Sequence, residues 1–98
     1  MSGEKAAREF TAQMSVRHGL WRLYVVLLNT TEQWPEHRFG RAVPTFTDRT
    51  NALNALGFEP VAGAEWTWTE DSETPDNPAS PIVLITAIQV RSLPEVSA

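Results

Sequence analysis

The stretch FTAQMSVRHGLWRLYVVLL, from Phe10 to Leu28, decides the fold. Phe10, Ala12, Met14 and Val16 alternate with Thr11, Gln13, Ser15 and Arg17, the period-two pattern of a strand with one buried face. His18 and Gly19 interrupt it, and a second run rich in β-branched and aromatic residues extends from Leu20 to Leu28. Glycine adopts positive φ without a steric penalty and histidine does so more readily than most residues, so the pair predicts a two-residue hairpin turn. With Arg17 opposite Leu20, one face pairs Val16 with Trp21, Met14 with Leu23, Ala12 with Val25 and Phe10 with Leu27. Every one of those pairs is apolar. The other face pairs Ser15 with Arg22, Gln13 with Tyr24 and Thr11 with Val26, a mixed set. A slip of one residue would destroy this segregation, so the register is specified by the pattern itself.

Outward from the hairpin, residues 29–44 contain Pro35, Gly40 and Pro44 and keep no regular period, which reads as a long connection. Thr45 and Asp48 stand at the spacing of a capping box, opening a helix over 46–56. Phe46, Ala52, Leu53 and Leu56 fall on one stripe of that helix, and Gly57 supplies a left-handed cap. A connector over 58–63 leads to an alternating strand over 64–70, with Trp66 and Trp68 on one side. An acidic, proline-bearing loop over 71–81 precedes a final strand over 82–90. The expected class is therefore α+β, in the order ββαββ: a four-stranded, mainly antiparallel sheet with one short helix on one face. A single domain over 8–92 is expected, between flexible tails at 1–7 and 93–98.

The bulk numbers agree with one small domain. A chain of 98 residues can bury roughly two thirds of its unfolded surface, and a 42% hydrophobic, 20% charged composition is that of a globular protein. The absence of cysteine excludes disulfides, thiolate metal sites and cysteine nucleophiles. No signal-like or membrane-length apolar run is present, so a soluble, cytoplasmic protein with no membrane partner is expected. The net charge of −4 opposes binding to a phosphate backbone.

Catalytic readings find little support. His18 lies in a turn and His37 in a loop; Glu32 and Glu36 near His37 do not complete a metal shell or an acid–base pair at a recognisable spacing. No nucleophile elbow or glycine-rich phosphate loop occurs. Neither enzyme activity nor a cofactor is expected. Arg17, Arg22 and Tyr24 would share a sheet face of the kind that binds single strands, with Arg38, Arg41 and Arg49 in or near the long loop. The acidic balance outweighs that pattern, and nucleic acid is not the expected partner.

Coverage is the informative mismatch. One three-turn helix shields one side of the sheet, yet Leu20, Tyr24, Val26 and Leu28, with Val83, Ile85 and Ala87, point to the other. Two arrangements would resolve this. The 29–44 segment, carrying Trp34 and Phe39, folds over that side as a lid, or the side is a contact surface, most simply for a homodimer. The candidate surface comprises Leu20, Arg22, Tyr24, Val26, Trp34, Phe39, Val83 and Ile85. An alternative surface is acidic: Glu65, Glu70, Asp71, Glu73 and Asp76 would present phosphate-like charge to a basic partner, as a small inhibitor or immunity-type protein does.

The segments SVRHGLWRLYVVL, from Ser15 to Leu27, and ALGFEPVAGAEWTWTE, from Ala55 to Glu70, resemble a family of small actinobacterial proteins of unknown function over roughly residues 10–92. The resemblance implies a high-GC bacterial source, in keeping with arginine supplying seven of the eight basic residues. It implies no activity and no functional residue. The sequence thus points to a non-enzymatic interaction or regulatory module, homodimeric through the uncovered sheet face.

Overall fold

The computed structural model describes residues 8–28 and 30–94. The expected tail at 1–7, and 95–98 of the expected tail at 93–98, lie outside the described residues, whereas Leu93 is tied down, its N–H donating to the Gly57 carbonyl at 2.9 Å. Six strands and one helix follow in the order β1 (Glu9–Arg17), β2 (Leu20–Val26), β3 (Glu36–Gly40), α1 (Phe46–Ala55), β4 (Phe58–Pro60), β5 (Thr67–Ser72) and β6 (Ile82–Ser92). All pairings are antiparallel, and the strands lie in the order β3-β2-β1-β6-β4, with β5 also on β6.

The β1–β2 hairpin has the register that the alternation dictates, from Arg17 opposite Leu20 to Thr11 opposite Val26. His18 at φ 53° and Gly19 at φ 77° form its turn, both left-handed, as a two-residue hairpin loop requires. β1 then pairs along its other edge with β6, from Glu9 opposite Arg91 to Val16 opposite Leu84. This puts Ala12, Met14, Leu23, Val25, Ile88 and Val90 on one face, where they meet Leu53 and Phe58 in a single buried cluster. Thr86 is the polar member of that layer, and its hydroxyl donates to the Thr67 carbonyl at 2.9 Å, so its burial leaves no orphan oxygen.

The sheet is larger than the four strands expected. β3 forms inside the segment read as an irregular connection, and β4 inside the 58–63 connector. β3 is Glu36-to-Gly40, polar and unalternating, with a register shift where Phe39 lies opposite the Trp21/Arg22 step; pairing with β2 holds it, not a hydrophobic period. β4 is three residues ending in Pro60, at an edge where the missing N–H costs no ladder bond. β4 and β5 lie along the same edge of β6: Pro60 opposes Val90 and Thr67 opposes Ala87. The loop between them is anchored by the Val61 N–H on the Gln89 carbonyl at 2.9 Å.

α1 has the expected start. The Thr45 hydroxyl accepts from the Asp48 N–H and the Asp48 carboxylate accepts from the Thr45 N–H, each at 3.0 Å. Gly57, at φ 96°, follows its C-cap. The buried stripe differs from the expected one, because Phe46 is 70% exposed and Arg49, one turn further, is buried with Ala52 and Leu53. Phe46 opens the first turn, and its ring lies against the Arg49 guanidinium rather than against the sheet.

Candidate functional site

The face away from α1 is built from the alternate residues of the same strands. Tyr24 is its most constrained member. Its hydroxyl donates to Gln13 Oε1 at 2.9 Å, the Arg22 guanidinium lies 5.1 Å over its ring, and Trp34 stacks on it at 6.0 Å with an interplanar angle of 20°. The Trp34 indole N–H donates to the Leu27 carbonyl at 2.8 Å, which fixes the loop against this end of the sheet. The stretch around Trp34 is therefore a partial lid, while 36–40 of the same segment extends the sheet as β3. The lid covers Tyr24 and stops short of the hairpin-turn end.

At that end a groove of about 550 Å³ remains, floored by Leu20, Val83 and Ile85 and bordered by Arg17, Arg22 and Arg38. Leu20 is half exposed, Ile85 is partly buried and Val83 is buried. Glu36 lies between two of the arginines, with Oε2 3.2 Å from Arg22 Nη1 and Oε1 3.6 Å from Arg38 Nη2. Arg17 has no ion pair among the described residues. On the far side of the sheet Asp71 of β5 sits opposite Val83, on this same face. The face thus carries arginines on β1, β2 and β3, with Glu36 between two of them, an apolar middle, and Asp71 at β5.

Of the residues expected on this surface, Leu20, Arg22, Tyr24, Val83 and Ile85 line the groove, Trp34 reaches it only by stacking on Tyr24, Val26 lies at the opposite end of β2, and Phe39 is not on this face. Phe39 packs against the core cluster on the helix side, edge-on to His37 at 4.7 Å. The acidic residues are dispersed. Glu65 borders a cleft on the helix side, Glu70 and Asp71 point to opposite faces of β5, and Asp76 holds a left-handed turn position at φ 65°. Glu73 Oε2 is 2.8 Å from His18 Nε2, joining the β1–β2 turn to the 73–81 loop. Among the described residues no three histidines or carboxylates gather at metal-binding separation, and no helix is long and apolar enough to cross a membrane.

Arg49 is the residue that the reading of surface arginines missed. Only 9% exposed, its guanidinium lies 4.6 Å from the Phe46 ring, 5.2 Å from Trp66 and 5.9 Å from Trp68. Burial holds its pKa below the ordinary arginine value. The signal was present in the helical period, since position 49 is three residues after Phe46 and four before Leu53, on the stripe that faces the sheet.

A search of curated proteins found no match to the chain, and neither did a search of solved structures. A family model does match, over residues 8–98. On that span, which takes in every element described above, the chain belongs to DUF6303, a family of unknown function.

Proposed function

We propose that the chain is a non-enzymatic interaction or regulatory module that self-associates through the face away from α1. The carrying observation is the arrangement of that face, with Arg17, Arg22 and Arg38 on β1, β2 and β3, an apolar strip in which Leu20 and, in part, Ile85 are open over buried Val83, and Asp71 on β5. Such a face is complementary to itself. A two-fold axis lying between two copies and running along the strands sets the basic side of one over the acidic side of the other, with the apolar strips in contact between them. The Trp34 lid defines the border of the contact, because it already shields Tyr24 within one subunit. The same reading takes the protein to be cytoplasmic and, on its arginine bias, of actinobacterial source.

Solution mass tests this directly. Wild-type protein is expected to be dimeric by light scattering at micromolar concentration, and Leu20→Glu or Ile85→Glu to be monomeric with unchanged circular dichroism. Reversing one charge, Arg17→Asp or Asp71→Arg, should weaken association roughly tenfold, and combining the two reversals should restore it. A wild-type monomer at these concentrations would remove the dimer.

A further inference from the structure

Outside the proposed interface, one buried group is left without the partner its chemistry calls for. Arg49 Nε and Nη1 are both buried and donate to no acceptor among the described residues. The rings of Phe46, Trp66 and Trp68 can interact with the face of a guanidinium, but its N–H donors radiate from the edge and need oxygen acceptors. Charged donors removed from water without an acceptor are costly, and buried polar groups in folded proteins are almost always paired. The nearest carboxylate in sequence, Asp48, is committed to the helix cap. Glu65 makes no ion pair with Arg49.

The three rings that surround the guanidinium are also walls of a cleft. It encloses about 380 Å³, and Pro60, Ala64 and Ile88 complete its apolar lining. That volume lies in the range of small-molecule sites. Two of the three rings are unusually open to water, Phe46 at 70% and Trp68 at 49% exposed. The Phe46 ring is largely in water and lies 4.6 Å from the guanidinium, so turning it aside is what would open Arg49, which does not itself line the cleft, to the space between the rings.

We propose that this cleft binds a small planar carboxylate, with its ring against Trp68 and Trp66 and its carboxylate accepting from Arg49 once the Phe46 ring is displaced. A flat apolar body suits the aromatic walls, and a carboxylate supplies the charge-assisted acceptors that the guanidinium lacks. A monoanion fits better than a phosphate dianion. A single arginine provides the positive charge, Glu65 at the cleft border subtracts from it, and the first backbone N–H groups of α1 include one already bonded by the Thr45 cap. The site lies on the helix side of the sheet, so it stands or falls independently of the dimer.

The test is a titration of the full chain with indole-3-acetate and benzoate, followed by calorimetry and tryptophan emission. The neutral amides, acetate and inorganic phosphate serve as controls. Saturable binding of the aromatic acids is expected, at least tenfold tighter than of the amides, with acetate and phosphate weaker still. Arg49→Met should make acid and amide bind alike and should melt no lower than wild type, because it removes a desolvated charge while keeping the side chain's bulk. Arg49→Lys should retain part of the preference. Equal binding of acid and amide to wild type, or binding of neither in the millimolar range, overturns the proposal without recourse to any variant. Acetate or phosphate binding as tightly as the aromatic acids would also overturn it, since the rings would then contribute nothing.

Discussion

Gly57 isolates a backbone term cleanly. It sits at φ 96°, and a Cβ added there meets nothing within 4 Å, so Gly57→Ala loses stability only through torsion. A cost of about 1–2 kcal/mol is expected in denaturant unfolding. The opposite end of α1 tests hydrogen bonding instead. Thr45→Ala removes the hydroxyl that accepts from the Asp48 N–H, and should cost about 1 kcal/mol. Both features were legible in the sequence, because caps are local chemistry: a hydroxyl, a carboxylate three residues on, a glycine at the end. Arg49 was legible only in part. Its place on the buried stripe follows from helical spacing, but its three rings come from two segments, and no local pattern brings Trp66 and Trp68 to α1.

Among the elements, the β1–β2 hairpin is the one whose pairing could be written down residue by residue. Its turn carries a specific expectation. His18→Asn should be tolerated, since asparagine accepts φ near 53°, whereas His18→Val should cost about 1–3 kcal/mol by thermal or denaturant melt, because a β-branched residue resists that conformation. The strands that escaped notice share a physical reason. β3 places Glu36 and Arg38 on the solvent side and has only Phe39 packed against the core, and β4 is too short to alternate. An edge strand needs a neighbour more than it needs a pattern, and neighbours are a property of the whole sheet. The candidate face was legible for the same reason as the hairpin, as the reverse side of a segregated register. Its partial closure was not, because Trp34 is fixed by one indole bond and one stacking contact across an irregular loop.

For the whole molecule, one layer carries the stability. Leu53 joins α1 to the strands, and Leu53→Ala should cost about 2–5 kcal/mol, the range for a fully buried leucine whose cavity cannot close. A much smaller loss in the unfolding free energy would mean that α1 shifts to fill the space. The sheet that α1 covers is assembled around β6, which pairs with β1 on one edge and with both β4 and β5 on the other. Because β1 pairs with β6, from Glu9 opposite Arg91 to Val16 opposite Leu84, β1 waits through all the other described strands before it has a second neighbour. Until β6 forms, the unit of β1, β2 and β3 therefore keeps its edge along β1 unpaired. The same adjacency makes the chain a good subject for circular permutation: a short linker from the end of β6 to the start of β1, with new ends cut in the 73–81 loop, should yield a folded protein that closes its central pair early in synthesis.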